Sequence, residues 1–296
     1  YFTDKTRAEH RQTTQAEMEA FIASLDDPTD NMYVYSAGKT SVYKLDIPVV
    51  IFTKVDLSGA KTLEEAAALI RADNKAVIHY QAQIHGNEPA GGEAALNTIA
   101  RMDSDWGNNL LNTTNILIVP RVNPDGAKDY TRDNAKHVDL NRDMVLERTE
   151  EVGAIHLICN LFEPDVNLDG HEYNWSPEYA TSKHVALQVS NGINGNYSEE
   201  FIAINEELSR NHYDTFYGYG LQPGYYSNKA NSYSASTNSG YHSTRGAMHI
   251  LMESRGIGGG NYAMGYRVVA HMMVTESVFE YVAENHEAVT SAVDAE

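Results

Sequence analysis

Cysteine is almost absent from this sequence. The chain has one cysteine, Cys159, among 296 residues, so no disulfide bond can form within it. This excludes the small disulfide-stapled domains, which need several cysteines in pairs. Cys159 lies in the apolar stretch 155–162, where a small buried side chain is a simpler interpretation than a catalytic thiol.

Long apolar runs and linkers are also missing. No stretch approaches the roughly 18 apolar residues that span a bilayer, and the first residues lack the charged start and apolar middle of a signal peptide. No proline- or serine-rich segment divides the chain, and its 42% hydrophobic content can fill one large core. We therefore expect a single domain over residues 1–296. Because the sequence begins at Tyr1 rather than Met, we also expect that a leader or other residues were removed.

Basic residues are scarce. The 22 Lys and Arg are outnumbered by 41 Asp and Glu, which gives a formal net charge of -19. A surface of this charge repels phosphate backbones and anionic lipids, so we expect neither nucleic-acid binding nor membrane insertion. Such a composition is typical of a well-solvated secreted protein, and we expect an extracellular or periplasmic location.

Strand-like and helix-like segments alternate along the chain. Runs rich in Val, Ile and Tyr predict strands at 32–35, 48–55, 76–84, 115–122, 165–169 and 248–253. Helical apolar patterns appear at 63–72, 92–102, 145–162, 199–216 and about 264–288. The alternation predicts an α/β fold around a mostly parallel sheet with some antiparallel strands. Residues 221–241, rich in Gly, Ser, Asn and Tyr, predict a long loop of the kind that often serves binding.

Polar residues follow four of the predicted strands. They form the segments His85-Gly86-Asn87-Glu88, Asn123-Pro124-Asp125-Gly126, Asp169-Gly170-His171 and Glu253-Ser254-Arg255. Open α/β sheets bind ligands at the carboxyl ends of their strands. We therefore expect these four segments to meet at one rim of the sheet.

His85 and Glu88 have the spacing of a metal-binding pair. A catalytic zinc takes three protein ligands and keeps a fourth position open, and a His and a carboxylate three positions apart can reach one ion from a single turn. About 1.7 such pairs are expected by chance from 12 His and 41 acidic residues, but only this one occurs, and it follows a predicted strand. His171, at another strand end, is the best-placed third ligand.

Other histidines fit structural positions better. They lie within a strand (His79), within predicted helices (His156, His212), near the termini (His10, His286) or in a solvated polar loop (His137).

Five segments, taken in order, resemble the zinc carboxypeptidase A family, with a spacing closer to its bacterial members that trim peptidoglycan peptides. They are His85-Gly86-Asn87-Glu88, Asn123-Pro124-Asp125-Gly126, Asp139-Leu140-Asn141-Arg142, Asp169-Gly170-His171 and Met252-Glu253-Ser254-Arg255. The resemblance implies the family's mixed, mostly parallel eight-stranded sheet flanked by helices on both faces. The sequence departs from the family after His171, where Glu172-Tyr173-Asn174 replaces Ser-Tyr-Ser.

The resemblance also implies a catalytic centre. The family's zinc ligands match His85, Glu88 and His171, with one zinc ion per chain. Its general base matches Glu253, and the Asp that orients the first zinc-binding His matches Asp139.

Further matches concern the substrate. The family's Asn and Arg, which hold the terminal carboxylate of the substrate, match Asn141 and Arg142. Its oxyanion-stabilising Arg matches Arg132, the only Arg between the second and third segments. Its mobile capping Tyr is assigned to Tyr233, one of several tyrosines in the predicted loop.

These residues together imply a zinc metallocarboxypeptidase that hydrolyses the C-terminal amide bond of peptides, with Glu253 activating a zinc-bound water. Arg142 and Asn141 offer a fork for a planar carboxylate, which favours an exopeptidase. Two alternatives stay open. The same site could act on peptidoglycan stem peptides or N-acyl amino acids, or the chain could be an inactive zinc-binding module for peptide tails, although a mere binder has no use for Glu253.

Overall fold

The computed structural model describes residues 12–25, 31–174, 187–192, 196–226, 234–257, 260 and 263–296. Eight strands form one sheet: β1 (Met32–Lys39), β2 (Asp46–Phe52), β3 (Ala76–Ala82), β4 (Thr114–Val119), β5 (Val166–Asn174), β6 (Leu187–Asn191), β7 (Gly224–Tyr225) and β8 (Met248–Ile257). The helices of the described residues are α1 (Gln15–Leu25), α2 (Leu63–Arg71), α3 (Pro89–Met102), α4 (Asp105–Leu110), α5 (Pro124–Asp129), α6 (Glu150–Phe162), α7 (Glu199–Gly218), α8 (Asn238–Ser243), α9 (Met264–Glu284) and α10 (His286–Asp294). A 3₁₀ turn covers Leu140–Arg142.

The sheet mixes parallel and antiparallel strands. Its order is β1-β2-β4-β3-β5-β8-β6-β7. The four central strands, β4, β3, β5 and β8, run parallel to one another. β2 and β6 join this central group antiparallel on either side. The predicted mixed, mostly parallel eight-stranded sheet is confirmed.

Helices cover both faces of the sheet, as the sequence predicted. Ile78 and Tyr80 of β3 belong to a core shared with α1, α3, α7 and α9, whereas Val77 faces a second core shared with α2 and α6. Side chains alternate between the two faces of a strand, so each strand supplies both cores. Each fully buried apolar side chain stabilises the fold by about 1.5–3 kcal/mol. None of the described helices is both long and apolar enough to cross a membrane.

One face of the central strands carries a buried polar row, made of His79, Gln81, Asn167, Asp169 and His249. His79 is in register with Asn167, Gln81 with Asp169, and Asn167 with His249. All five side chains are buried. The row lies on the side of the sheet that α6 covers, and it ends at the polar rim predicted from the sequence.

Two strands extend further than the sequence predicted. β5 continues to Asn174 and β8 to Ile257, because the two strands remain paired along this added length. His171 therefore lies inside a strand rather than after it, and Glu253 lies inside β8 rather than at its end. Backbone hydrogen bonds on neighbouring strands fix their positions more tightly than a loop would.

The helix boundaries and the predicted loop also differ. α6 begins at Glu150 rather than near residue 145, because the Thr149 side chain caps it by accepting from the backbone N–H of Val152. The predicted terminal helix is two helices, with a break at Asn285. The predicted long loop contains β7 and the start of α8, while residues 227–233 lie outside the described part of the chain.

The segment after β3 passes very close to the segment after β4. A Cβ atom at Gly86 would lie 1.9 Å from the carbonyl carbon of Gly126, so only glycine fits there. Asn123 reinforces this approach, since its Oδ1 accepts from the N–H of Gly126 at 2.8 Å and its Nδ2 donates to the carbonyl of Ile84 at 3.1 Å. The contact fixes the backbone on either side of His85.

We expect Gly86→Ala to lower the free energy of unfolding by about 3 kcal/mol or more, the upper end of the range for overpacking, because the clash is with backbone. Urea denaturation measures this. The matched control is Gly59→Ala, an exposed site with nothing within 4 Å of the added Cβ, where the change should stay within about 0.5 kcal/mol. Equal stability of the two variants would contradict the close approach.

Candidate metal centre

Three side chains from three segments meet at one point. His85 follows β3, Glu88 precedes α3 as its N-cap residue, and His171 lies in β5. Nδ1 of His85 is 2.8 Å from Oε1 of Glu88. Nδ1 of His171 is 3.0 Å from Oε2 of Glu88 and 3.2 Å from Nδ1 of His85. The structure thus brings the three predicted ligands together, and each is at most 2% exposed.

A carboxylate stands behind each imidazole ring. Nε2 of His85 is 3.3 Å from Oδ1 of Asp139, and Nε2 of His171 is 2.9 Å from Oδ2 of Asp169. An ionised carboxylate only accepts hydrogen bonds, so Nε2 of each ring carries the proton. In a neutral ring, the lone pair of Nδ1 then points at the shared point.

The donor set fits zinc. Zinc binds imidazole nitrogen and carboxylate oxygen at about 2.0–2.2 Å, which places neighbouring donors of a tetrahedral site about 3.3 Å apart. The two Nδ1 atoms are 3.2 Å apart, and each is 2.8 or 3.0 Å from one of the two oxygens of Glu88, which is close to that value. Two nitrogens and one carboxylate leave a fourth position open, as catalytic zinc sites require.

Burial and neighbouring charges have opposite effects on the pKa of Glu88 and on that of His171. Burial raises the pKa of Glu88, but His85 and His171 beside it outweigh this and hold the pKa well below its usual value. Burial lowers the pKa of His171, but Asp169 and Glu88 outweigh this and raise it well above its usual value. The surroundings therefore favour positive charge at the shared point, which a bound cation supplies.

Glu253 stands beside His171 on the neighbouring strand. The two residues are in register between β5 and β8, so their side chains leave the same face of the sheet. Oε2 of Glu253 is buried and has no hydrogen-bond partner among the described residues. Burial is the largest cause that raises the pKa of Glu253, to about 8, and Glu88 adds to it. A cation bound nearby would lower this pKa again, so the carboxyl is placed to exchange a proton near neutral pH.

Arg132 contacts two of the three converging side chains and the carboxylate behind His85. Its Nη1 is 3.2 Å from Nδ1 of His85 and 3.5 Å from Oε1 of Glu88. Its Nη2 is 3.0 Å from Oδ2 of Asp139. Burial raises the pKa of Asp139, but His85 and Arg132 outweigh it and hold the pKa well below its usual value. The Arg132 side chain is 41% exposed, so it can also meet a ligand from solvent.

Asn141 and Arg142 lie at the edge of the site, in the 3₁₀ turn that Asp139 begins. Oδ1 of Asp139 accepts from the backbone N–H of Asn141 at 2.9 Å. Nδ2 of Asn141 lies 3.5 Å from Nε2 of His171. Arg142 is exposed, and its Nη1 donates to the carbonyl of Asn141 at 2.5 Å. The turn therefore presents an amide and a guanidinium side by side.

Asp169 and Asn238 belong to the site, but the sequence analysis assigned neither of them a role. The backbone N–H of Asn238 donates to Oδ1 of Asn141 at 2.7 Å, and its side-chain Nδ2 donates to Oδ2 of Asp169 at 2.8 Å. One residue thus ties Asn141 to the carboxylate behind His171. Asp169 could have been found, because it precedes His171 by two positions and so faces the same side of its strand. Asn238 follows a segment without a periodic pattern and carries no such signal.

Glu172, where the sequence departs from the family it resembles, forms a buried ion pair with Arg267 of α9. Oε1 of Glu172 accepts from the N–H of Ala90 at 2.7 Å, and its backbone N–H donates to Oε2 of Glu88 at 2.9 Å. Burial raises the pKa of Glu172 to about 7 although Arg267 opposes it. The pair attaches α9 to the two segments that carry Glu88 and His171.

Three other residues singled out in the sequence lie away from these contacts or beyond the described residues. Tyr233, assigned as the capping residue, lies outside the described part of the chain. His137 is exposed, consistent with the predicted solvated loop. Cys159 is buried, as its apolar surroundings predicted.

Asp169→Asn should weaken zinc binding by about 10- to 100-fold, because the charge that orients His171 is lost. Competition with a chelator measures the affinity, and Asp139→Asn, which acts on the other ring, should have an effect of the same size. Exposed Asp105→Asn serves as the control. Unchanged affinity in Asp169→Asn would mean that the carboxylate does not support the metal ligand.

Residues 18–154 match the family model of zinc carboxypeptidases. The matched range includes His85, Glu88, Arg132 and the turn 139–142, and it ends before His171 and Glu253. Among curated relatives, "Carboxypeptidase 2" of Trichophyton equinum is 27% identical over 213 residues, which are 70% of this chain and 37% of that protein. "Carboxypeptidase 2" of Trichophyton rubrum is 27% identical over 184 residues, which are 62% of this chain and 32% of that protein. The chain thus spans about a third of the length of these relatives.

Solved structures share the fold. A metallo-carboxypeptidase from Burkholderia cenocepacia superposes with a TM-score of 0.70 at 14% identity, covering 92% of this chain and 70% of that one. Bovine thrombin-activatable fibrinolysis inhibitor, in complex with tick carboxypeptidase inhibitor, gives 0.68 at 14% identity, covering 93% and 99%. A metallo-carboxypeptidase from Pseudomonas aeruginosa gives 0.63 at 17% identity, covering 95% and 71%. The family model over residues 18–154, the curated relatives and the shared fold make this chain similar to zinc carboxypeptidases.

Proposed function

We propose that this chain is a zinc metallocarboxypeptidase that removes the C-terminal residue of peptides, with a single catalytic domain over residues 1–296. One observation carries the proposal: Nδ1 of His85, Nδ1 of His171 and the carboxylate of Glu88 converge within 3.2 Å, with Glu253 on the adjacent strand. A structural metal needs only ligands. A buried carboxyl beside the ligands, with no partner for one oxygen among the described residues, is what metal-assisted hydrolysis needs in addition.

His85, Glu88 and His171 would hold one zinc ion in this site. When bound, zinc supplies a Lewis acid that lowers the pKa of a bound water toward about 7 and polarises the scissile carbonyl. The three side chains keep their donor atoms in place because Asp139 and Asp169 hold the two rings from behind. The ligands therefore need little rearrangement to accept the ion.

Glu253 acts as the general base and then as the acid for the leaving amine. It is in register with His171 but does not belong to the three converging donors, so it can carry a proton without occupying a ligand position. Its raised pKa, about 8, reflects a site where the protonated form is accessible near neutral pH. General acid–base catalysis of this kind contributes about 10²- to 10⁴-fold to the rate.

The remaining polar groups act on the substrate. Arg132, beside His85, stabilises the oxyanion, and one donor of this kind is worth about 2.7–4 kcal/mol in the transition state. Asn141 and Arg142 pair with the terminal carboxylate. Tyr233 is proposed as the side chain that covers the bound substrate.

The inactive peptide-binding module is the weaker account. Burial and two nearby acids, Glu88 and Asp169, disfavour the ionised form of Glu253. A protein that only binds peptides would keep this carboxyl without using it. Hydrolysis of peptidoglycan stem peptides or N-acyl amino acids requires the same groups as peptide hydrolysis, so a substrate panel decides among them. The excess of acidic residues supports an extracellular or periplasmic location.

Glu253→Gln should retain zinc but lower kcat/KM by about 10²- to 10⁴-fold, because proton transfer is lost while the ligands remain. Metal analysis and hydrolysis of a panel of blocked dipeptides, N-acyl amino acids and a peptidoglycan tripeptide measure both effects. Exposed Glu163→Gln, at the end of α6, is the control and should match the parent enzyme. Near-native turnover of Glu253→Gln would assign the base to another group.

Arg142→Met should lower kcat/KM by about 10- to 100-fold for peptides with a free terminal carboxylate, since a hydrogen bond to a charged group is worth about 1.5–3 kcal/mol. The same variant should leave the slow hydrolysis of C-terminally amidated peptides unchanged. Exposed Arg71→Met, in α2, controls for loss of positive charge. An equal loss for both kinds of peptide would show that Arg142 does not read the carboxylate.

A further inference from the structure

A second cluster of possible metal ligands lies in the core, apart from the first. It consists of His79 of β3, Cys159 of α6 and His242 of α8. Each residue offers one ligand atom, and these atoms all lie within 4.8 Å of one another. Sγ of Cys159 is 3.8 Å from Nε2 of His242. All three side chains are at most 1% exposed.

Imidazole nitrogens around this cluster are buried without hydrogen-bond partners. Neither ring nitrogen of His79 has a partner of acceptable geometry among the described residues, and the same holds for His249. The His249 ring stacks on that of His242, with centroids 5.5 Å apart. Buried polar atoms are nearly always paired, so the two nitrogens of His79, a member of the cluster, call for something that satisfies them.

The chemistry of the cluster suits a transition-metal ion. Burial lowers the pKa of His79 to about 4 and that of His242 well below its usual value, so both rings are neutral and can offer a lone pair. Two imidazoles and one cysteine sulfur are ligands that zinc and similar ions prefer. Burial raises the pKa of the Cys159 thiol to about 12, so the ion itself has to displace the thiol proton. In a tetrahedral site, sulfur and nitrogen donors lie about 3.6 Å apart, close to the 3.8 Å between Cys159 and His242.

Two readings compete for this cluster. If Cys159 is only a small buried hydrophobe and water satisfies the rings, the cluster is a polar part of the core. This interpretation does not explain why a thiol and two neutral imidazoles from three separate elements place their donor atoms within 4.8 Å of one another. The flanking charges also suit a cation: Nε2 of His249 is 3.7 Å from Oδ2 of Asp169, so an acid borders the cluster.

We propose that His79, Cys159 and His242 form a second, structural binding site for zinc or a chemically similar transition-metal ion. Binding breaks the S–H bond of Cys159, forms the sulfur–metal bond and releases the proton to solvent, with no change of oxidation state. The ion would cross-link α6 and α8 to β3 beneath the strands that carry His171 and Glu253. This site goes beyond the proposed peptidase function and does not depend on it.

Cobalt(II) distinguishes the two sites, because only the second contains sulfur. We expect the metal-depleted full chain to bind two equivalents of cobalt, with a sulfur-to-cobalt charge-transfer absorption in the near ultraviolet. Cys159→Ala should lose this absorption and one equivalent while it keeps the other equivalent and peptidase activity. His171→Ala should lose the other equivalent and activity but retain the absorption.

Matched measurements keep the test decisive. His212→Ala removes another buried imidazole whose nitrogens lack partners among the described residues, and it should retain both equivalents. One equivalent of cobalt and no sulfur absorption in the unmodified chain would overturn the proposal, even if Cys159→Ala does not fold. Two equivalents that survive in a folded Cys159→Ala would equally overturn it, because the second ion would then lie elsewhere. Loss of peptidase activity alone bears only on the first site.

Discussion

Two imidazole rings and one carboxylate have to present their donor atoms to the same point, and much of the surrounding structure serves that requirement. β3 and β5 are parallel neighbours, so the segment after β3 and the end of β5 lie at the same side of the sheet. Asp139 and Asp169 hold His85 and His171 by Nε2, which leaves Nδ1 for the shared point. Without these two contacts the rings could rotate or shift their proton, and the donor set would be lost.

The site is built from buried charge, and this limits how the rest of the fold can be arranged. Glu88, Asp169, Glu172 and Glu253 are all buried near one another. Their mutual repulsion and desolvation are offset by His85 and His171, by Arg132 and by the buried ion pair between Glu172 and Arg267. A bound divalent cation would offset them further, so metal binding and the stability of this region are coupled. Metal removal should therefore loosen α9 as well as the site.

Much of the sheet and the convergence of His85, Glu88 and His171 could be predicted from the sequence, because both leave local signals. Apolar runs predicted six of the eight strands of the described sheet, and the spacing of His85 and Glu88 predicted a pair of side chains that could hold a metal. β6 and β7 were not predicted, since each is short and is defined by pairing partners distant in sequence. Asn238 was missed for the same reason: its contacts are with Asn141 and Asp169, which lie 97 and 69 positions away. Proximity of Cys159 to His79 likewise depends on how α6 packs on the sheet, which no local pattern records.

The central claim is that the chain removes residues from the carboxyl end of a peptide when one metal ion is bound by His85, Glu88 and His171. Its most direct test is stepwise return of zinc to the metal-depleted chain, with products of a defined peptide followed by mass spectrometry. The His242→Ala variant is used because it lacks the second cluster. The account predicts that its activity rises to a maximum at one equivalent of zinc. It also predicts that the products shorten one residue at a time from the C-terminus. Internal cleavage, or activity without zinc, would contradict it.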